Sequence, residues 1–228
     1  MCGRYTLATS QEQLQERFSV QGGNLEIQPR YNVAPTQSVL TVTSNAEHQN
    51  QAEYMRWGLI PSWAKDASMG ARMINARAET LAEKPSFRRA LQKRRCLVLA
   101  DGFYEWKSGG KSKTPFYLAL RTREPFGMAG LWETWKAPSG EWIHSCTIIT
   151  TEANDLVDRI HNRMPVILPQ DVEATWLDQD INDPGFLTEL LGPYPADEME
   201  AYQVSTLINS PANETPECIT PVEPQLRI

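Results

Sequence analysis

The amino-acid sequence predicts an α+β fold, with a curved, mostly antiparallel β-sheet or open β-barrel core and peripheral helices. Short strand-like runs separated by Gly-, Pro- and Lys-rich turns fill the middle of the chain, and helical patterns occur only intermittently between them. The sequence lacks the strict strand–helix alternation that is typical of parallel βαβ folds. Hydrophobic residues make up 41% of the 228 residues, which is enough for a proper core. Since no internal repeat or linker divides the chain, we expect a single domain over residues 1–228.

The first part of the chain is predicted to contain one helix and one pair of strands. Ser10 and Gln13 fit a capping box, which predicts a helix over residues 10–18 that ends at the Gly-rich segment 21–24. Strands are predicted over 38–43 and 53–58, paired across the polar segment 44–51. Residues 61–66 are expected to form an irregular surface loop.

The later part of the chain is predicted to be richer in strands. A strongly basic helix covers 86–93, and the apolar run 96–100 is followed by Asp101 and Gly102, a pair typical of hairpin turns, and by a returning strand over 103–107. Further strands are predicted over 114–120, 126–132, 142–150, 165–168 and 201–207. Helices are predicted over 152–160, 170–177 and 184–191.

The charge of the chain is strongly asymmetric. Residues 1–123 contain 18 Lys and Arg against 10 Asp and Glu, a net charge of +8, whereas residues 124–228 carry a net charge of −14. A basic half of this size predicts a polyanionic partner. The alternative is that the acidic half only keeps the protein in solution or folds over the basic half.

Several classes of protein are excluded by simpler features. No segment reaches the ~20 consecutive apolar residues of a transmembrane helix, and the N-terminus leads into polar residues, unlike a signal peptide. With no obvious C-terminal extension, we expect a cytoplasmic, bacterial-type protein without membrane association. The four cysteines form no CxxC pair and have no close histidine, which argues against a zinc site or a disulfide framework.

Cys2 occupies an unusual position for a thiol. Removal of Met1, which is expected before a small residue, leaves Cys2 with a free α-amine beside its thiol. The amine, with an ordinary pKa of ~7.7–8.0, can attack an aldehyde, and the thiolate can then close on the imine to form a five-membered thiazolidine. The alternative is a buried, unreactive cysteine.

Two residues have chemistry suited to proton transfer. Glu105 lies on a predicted strand between aromatic residues, where loss of solvent would raise its pKa; strand alternation equally allows it to face outward between inward aromatics. His161 lies where a predicted helix ends and a strand begins, and imidazole suits acid–base chemistry near neutral pH. The alternative for His161 is a cation that only caps the helix.

The segment around residue 75 offers an amide, a guanidinium and a carboxylate at short spacing. Asn75 has the amide needed to orient a reacting oxygen or amine, and Arg77 could clamp a phosphate through two hydrogen bonds. Equally, Arg77 and Glu79 could form a structural ion pair. Trp63 in the loop 61–66 is predicted to be an exposed ring on which a nucleobase stacks.

Taken together, these segments resemble the SOS response-associated peptidase (SRAP) family of abasic-site DNA–protein crosslinking proteins. The matching stretches occur in family order and are MCGRY (1–5), RYNVAP (30–35), RWGLIPSW (56–63), INARAET (74–80), DGFYEW (101–106) and HNRMP (161–165). The resemblance covers about residues 2–168 and is less distinctive in the acidic part that follows.

The resemblance implies a function and a set of site residues. It implies one SRAP domain, with the catalytic and DNA-binding segments within 2–168 and the acidic part 169–228 packed on them, that binds single-stranded DNA containing abasic sites as a monomer, without metal or other cofactor. Cys2 would form the covalent thiazolidine after Met1 is removed, by autoproteolysis or by an aminopeptidase. The implied catalytic residues are Cys2, Asn75, Glu105 and His161, and the implied DNA-binding residues are Arg4, Arg77 and Arg163 at phosphates, with Asn32, Pro35 and Trp63 lining the channel.

Two other functions remain open at this stage. N-terminal-nucleophile glutamine amidotransferases also begin with Met-Cys-Gly, but the resemblance ends there and no glutamine-binding segment follows. A module that binds single-stranded or modified DNA without covalent chemistry would explain the basic half and the exposed aromatic residues equally well.

Overall fold

The computed structural model describes residues 2–20, 26–109 and 112–222. Over these ranges, mostly antiparallel β-structure is surrounded by a few short helices, which confirms the predicted α+β fold class. No helix within them is long and apolar enough to cross a bilayer. The predicted turn at 21–24 and the removal of Met1 concern residues outside the described ranges.

The described elements follow one another along the whole chain. The strands are β1 (Tyr5–Leu7), β2 (Arg30–Val33), β3 (Ser38–Ser44), β4 (Asn50–Trp57), β5 (Asn75–Arg77), β6 (Arg95–Ala100), β7 (Gly102–Gly109), β8 (Ser112–Leu120), β9 (Phe126–Lys136), β10 (Trp142–Glu152), β11 (Arg163–Pro165) and β12 (Met199–Gln203). The α-helices are α1 (Gln11–Arg17), α2 (Arg88–Lys93), α3 (Gln170–Leu177) and α4 (Pro184–Glu189).

The strands form an open sheet and a barrel. The open sheet has the order β12–β8–β7–β1–β2, with every neighbouring pair antiparallel. In the second group, β3, β4, β10, β9 and β6 pair in a ring, so the barrel that the sequence predicts as open is closed. The closing contact is short and parallel, with Arg56 and Trp57 of β4 beside Ser145 and Cys146 of β10.

One buried cluster combines both halves of the chain. Trp57 and Val98 from the barrel belong to the same hydrophobic cluster as Trp176 and Leu187 from the acidic part, and all four are fully buried. Burying one leucine side chain of this kind stabilises the fold by roughly 1.5–3 kcal/mol. The segment after residue 168 therefore contributes to the core rather than only to the surface charge.

Arg95, the first residue of β6, is a basic residue that does not lie at the surface. Its guanidinium is buried and donates hydrogen bonds to the carbonyls of Leu91, Gln92, Trp176, Asp178 and Ile181. These carbonyls lie at or beyond the C-terminal ends of α2 and α3, where helices leave acceptors without intrahelical partners. Arg95 therefore joins the two helices, whereas the exposed charges of the segment are on its neighbours.

The hairpin predicted at Asp101 and Gly102 is wrong. β6 ends in the barrel and β7 begins in the open sheet, so the two strands do not pair with each other. The Asp101 carboxylate accepts hydrogen bonds from the N–H groups of Ala8 and Thr9 and from the Thr9 hydroxyl, at 2.6 Å for the hydroxyl. Asp101 thus anchors the connection between the two sheets to the segment that directly follows β1.

The helix predicted over 152–160 is also wrong. β10 continues to Glu152, and only a single 3-10 turn, Val157–Arg159, follows. The Asn154 side chain accepts hydrogen bonds from the N–H groups of Leu156 and Val157, and this local turn competes with a regular helix. Near the end of the chain, the strand predicted over 201–207 is shorter, because Thr206–Asn209 forms another 3-10 turn.

Candidate active site

The N-terminal segment lies against the strand that carries Glu105. Tyr5 of β1 is opposite Phe103 of β7, and the Tyr104 N–H donates to the Arg4 carbonyl at 3.0 Å. Continuing this antiparallel register by one step places residue 3 opposite Glu105. Cys2 is completely buried at this point, and burial, together with the nearby charge of Glu105, raises the pKa of its thiol.

Glu105 faces inward. Phe103 and Glu105 are two residues apart and therefore share one face of β7, which is directed toward the main core that also contains Cys2. Tyr104, on the other face, packs in a second cluster with Tyr117. The alternative that Glu105 faces solvent is therefore wrong, since its exposed fraction is 2%. Burial raises the pKa of the Glu105 carboxyl above its ordinary value.

His161 and Glu105 line the same open cavity. The cavity has a volume of about 630 Å³, and the charge of His161 opposes the effect of burial on the pKa of Glu105. The His161 ring is oriented by the backbone, because its Nδ1 accepts from the Arg163 N–H at 3.0 Å. A neutral His161 in this arrangement carries its proton on Nε2.

Arg163 is held by its neighbours instead of extending into solvent. Its guanidinium makes two hydrogen bonds to the Glu79 carboxylate, at 2.5 and 3.0 Å, and a third to the Thr150 carbonyl at 2.7 Å. The alternative from the sequence, an ion pair between Glu79 and Arg77, is not observed. Glu79 instead forms its ion pair with Arg163. The same pairing fixes the backbone that orients His161.

Asn75 and Arg77 lie on β5 at the edge of the barrel. β5 runs parallel to β10, with Asn75 beside Ile148 and Arg77 beside Thr150. Both polar atoms of the Asn75 amide are buried and have no hydrogen-bond partner among the described residues. A buried amide in this condition indicates a ligand or water that the side chain would bind. Arg77 is exposed, and no ion pair involves it in the described ranges.

A buried tryptophan joins β5 to the N-terminal strand. The Trp57 ring lies 5.4 Å from the Tyr5 ring, and its indole N–H donates to the Ile74 carbonyl at 2.9 Å. Asn75 follows Ile74 directly, so a single side chain separates β5 from β1. The sequence-predicted residues Cys2, Glu105 and His161 are thus brought together, and Asn75 lies on β5, which the Trp57 side chain separates from β1.

Arg4 and Asn32 are occupied within the protein. Arg4 donates to the Asn32 side chain at 2.6 Å and to the Ile208 carbonyl at 2.5 Å, and its guanidinium lies 5.9 Å from the centre of the Trp106 ring. Asn32 is fully buried and donates to the carbonyls of Ser210 and Asn213. The structure therefore gives Asn32 no surface for a ligand, and both residues position the segment 208–213 beside the cavity.

The remaining two predicted residues lie at the surface. Pro35 is half-buried in the turn between β2 and β3. Trp63 is 60% exposed, and the carbonyl of the adjacent Ala64 accepts from the Trp135 indole at 2.8 Å, which anchors this loop to the barrel. The structure thus shows the predicted exposed aromatic ring on an irregular loop. Trp63 is not one of the described residues that line the cavity of Glu105 and His161.

One cluster of metal-ligating side chains occurs among the described residues. It contains His48, Asp178 and Asp180 at the surface and none of the candidate catalytic residues. The two carboxylates contact different nitrogens of the same imidazole, at 3.7 and 3.6 Å. Both carboxylates are thus placed around a single ring, and the cluster is not assigned as a metal site.

Comparisons with known proteins identify the family of the chain. A model of the SOS response associated peptidase (SRAP) family matches residues 1–211. The chain belongs to this family. Abasic site processing protein YoqW of Bacillus subtilis is 50% identical over 222 residues, which cover 96% of this chain and 99% of the relative. Abasic site processing protein HMCES of Gallus gallus is 35% identical, over 86% of this chain and 67% of the relative. A solved structure from Bacteroides thetaiotaomicron, 29% identical, has a TM-score of 0.88 and covers 97% of this chain and 100% of its own.

Several cavity residues of this SRAP chain were missed by sequence analysis. They are Trp106, Ser112, Lys113, Thr206 and Asn209. Thr206 and Asn209 come from the segment that is least distinctive in sequence, and Asn209 accepts a hydrogen bond from the Trp106 indole at 2.8 Å. Polar residues in a Pro-rich C-terminal segment carry no periodic signal, so only the folded chain identifies them as lining residues.

Proposed function

We propose that this protein detects abasic sites in single-stranded DNA and captures them covalently through Cys2, once Met1 has been removed. The product is a thiazolidine between the aminothiol of Cys2 and the aldehyde of the opened deoxyribose. This crosslink removes the aldehyde that otherwise promotes strand breakage and shields the lesion during replication-associated repair. The relatives YoqW and HMCES are named for abasic site processing, and this supports the choice of lesion.

The observation that carries the proposal is the position of Glu105. A buried carboxyl with a raised pKa lies beside a buried N-terminal thiol, and the same carboxyl lines an open cavity together with His161. A structural cysteine needs no titratable neighbour with access to solvent. A thiol that must lose its proton during a reaction does need one, because only the thiolate is a strong nucleophile.

The formation of the thiazolidine needs only one acid–base group, the Glu105 carboxyl, which gives up a proton and later regains it. The Cys2 amine adds to the aldehyde carbon, and a proton moves from nitrogen to oxygen to give a hemiaminal. Protonated Glu105 donates to the hydroxyl, water leaves, and a protonated imine remains. The Cys2 sulfur then adds to the imine carbon while its thiol proton returns to Glu105. The sum is aldehyde plus aminothiol giving thiazolidine plus water.

The other predicted residues have positioning and binding roles in this proposal. His161 lines the cavity, its Nδ1 accepts from the Arg163 N–H, and its Nε2 is the nitrogen left to donate to the ring oxygen of the closed sugar as it opens. The unpartnered amide of Asn75 is available to bind the opened sugar or the α-amine. Arg77 is free of ion pairs within the described ranges and is suited to a phosphate. Arg163, in contrast, acts through its bond to Glu79.

Mass spectrometry of the intact protein tests the proposal directly. Protein whose mass shows the loss of Met1 is incubated with a single-stranded oligonucleotide carrying one abasic site. The expected adduct has the summed masses of protein and oligonucleotide less one water. Cys2→Ala abolishes it, while Cys96→Ala, which removes another fully buried thiol, leaves it intact. A chain that retains Met1 also forms no adduct, because its Cys2 nitrogen is an amide.

Two results would overturn the proposal. The first is the absence of an adduct from protein with confirmed loss of Met1, together with ordinary binding of the oligonucleotide; this would favour non-covalent DNA binding. The second is equal adduct formation by Cys2→Ala. Release of ammonia from free glutamine would instead favour an amidotransferase, although nothing in the described cavity points to that activity.

A further inference from the structure

One face of the β9–β10 ribbon carries aromatic and basic side chains that the proposed chemistry does not use. Trp132, Thr134 and Lys136 alternate along β9, and β10 places Trp142 opposite Lys136 and His144 opposite Thr134. Residues two apart on a strand, and residues directly paired across strands, point to the same side of a sheet. These five residues therefore share one side, which we call the ribbon face.

The rings of the ribbon face are in contact with each other and with cations. The Trp132 and His144 rings lie 5.4 Å apart, inclined at 47°, and the Lys136 ammonium lies 5.4 Å from the centre of the Trp142 ring. Trp142 is 62% exposed, the largest exposed fraction among the large hydrophobic side chains of the described residues. A flat ring held by a cation but open to solvent is suited to stacking with a nucleobase.

Positive charge continues from the ribbon face onto α2. The Arg94 guanidinium lies 5.5 Å from the centre of the Trp132 ring and pairs with Glu133. Arg89 lies on α2 and Arg94 directly follows that helix; burial, and then the charge of Arg89, lower the pKa of Arg94. Arg89 is exposed, and no salt bridge of its own occurs among the described residues. Such a pair of like charges is relieved when a phosphate binds beside it.

We propose that the ribbon face and Arg89 bind a single-stranded DNA segment several nucleotides away from the abasic site. Bases stack on Trp142, and backbone phosphates contact Lys136 and Arg89. The identity of the polymer rests on the proposed function, while the surface itself rests on the contacts above. Unpaired bases are required, because a duplex would not expose a base face to Trp142.

The spacing along β10 sets the length of DNA that is needed. Asn75 lies beside Ile148, and Trp142 precedes Ile148 by six positions on the same strand. At about 3.4 Å per residue, Trp142 and its partner Lys136 lie roughly 20 Å from the edge of the candidate active site. An oligonucleotide with flanks shorter than this distance contacts only the active site, whereas one with longer flanks contacts both surfaces.

Equilibrium binding with two oligonucleotide lengths tests the proposal. Both oligonucleotides carry a stable abasic analogue that lacks the aldehyde, and fluorescence anisotropy reports binding to the full chain. The double variant Trp142→Ala/Arg89→Ala should bind the long oligonucleotide about tenfold more weakly, a change of about 1.4 kcal/mol, and the short one unchanged. Its salt dependence on the long oligonucleotide should also fall, by about 0.7 in the logarithmic slope, for one lost phosphate contact.

A matched control separates this surface from general effects of charge and aromatic content. Tyr54 is a 42% exposed aromatic residue next to Glu53, and Glu53 contacts His144 at 2.8 Å, so alternation along β4 directs Tyr54 away from the ribbon face. Arg121 is an exposed arginine in the turn after β8. The control Tyr54→Ala/Arg121→Ala should leave binding of both oligonucleotides unchanged.

The outcomes distinguish this surface from the proposed chemistry. The proposed surface is wrong if the Trp142→Ala/Arg89→Ala variant binds the long oligonucleotide with unchanged affinity. It is also wrong if the variant loses equal affinity for both lengths, or if the control variant loses as much affinity as the test variant. Crosslinking of wild-type protein to a short oligonucleotide with a natural abasic site depends on Cys2 and the other active-site residues, and not on the ribbon face. If that reaction fails while the length dependence holds, the surface stands and the proposed chemistry is wrong.

Discussion

Replacing Glu105 with glutamine is the most informative change to the site. Glutamine keeps the size of the side chain, but it can neither donate a proton to the leaving hydroxyl nor accept one from the Cys2 thiol. General acid–base groups usually contribute 10²–10⁴-fold, and we expect about 100-fold slower adduct formation, about 2.7 kcal/mol in activation free energy, because His161 remains in the same cavity. The lower end of the range follows from this remaining acid–base group.

The same substitution has a predictable effect on stability. Burial raises the pKa of Glu105, so the folded state binds this proton more tightly than the unfolded state does. The resulting stabilisation is fully present below the ordinary pKa of a glutamate, near ~4.3, and is lost as the pH rises through the raised value. Relative to wild type, Glu105→Gln should therefore be more stable at neutral pH than it is in acid.

Two measurements check this prediction together. Single-turnover adduct formation, followed on denaturing gels across pH, should show a wild-type rate that falls as Glu105 loses its proton, and a variant rate without that limb. Urea unfolding across the same pH range gives the stability difference. A variant that crosslinks at the wild-type rate would refute the proton-transfer role. A stability difference that does not change with pH would refute the raised pKa.

Three further predictions concern DNA binding and the fold. Arg77→Ala should weaken binding of single-stranded DNA and lower the logarithmic salt slope by about 0.7, measured by anisotropy against salt, because one phosphate contact is lost. Arg95→Lys should lower the free energy of unfolding by about 3–5 kcal/mol in urea titrations, because one ammonium cannot reach carbonyls of both α2 and α3. Gly102→Ala should cost about 1–3 kcal/mol, since its Cβ would lie 2.7 Å from the Leu118 carbonyl and closer still to the Tyr117 ring.

Each of these has an outcome that would contradict it. An unchanged salt slope for Arg77→Ala would remove that residue from the interface. Arg95→Lys with wild-type stability would show that water replaces the guanidinium at those carbonyls. For Gly102→Ala, an unchanged melting temperature would show that the Tyr117 ring moves aside without losing its 2.9 Å contact with the Thr6 hydroxyl.

Local patterns in the sequence were sufficient for most elements of the fold. The α1 helix is capped by Ser10, whose hydroxyl accepts from the Gln13 N–H, as the capping box predicts. The strand pair β3 and β4 also forms as predicted. The pair Asp101 and Gly102 gave a wrong hairpin prediction, because a turn motif specifies only the local backbone conformation. Whether the next strand returns beside its predecessor or enters another sheet depends on contacts with distant residues, in this case Ala8 and Thr9.

The sequence by itself determined the fold class and the chemical types at the candidate site, including an N-terminal thiol, a carboxylate among aromatic residues and an imidazole. Only the tertiary structure decided which of these meet. Glu105 faces inward because neighbouring side chains on β7 are buried on both faces of the strand. The alternation of side chains along β7 therefore does not distinguish a solvent-facing side from a core-facing side. Arg163 pairs with Glu79, 84 positions earlier, and Asn32 is enclosed by the segment 208–213. Such contacts join residues far apart in sequence, and no periodicity or local spacing encodes them.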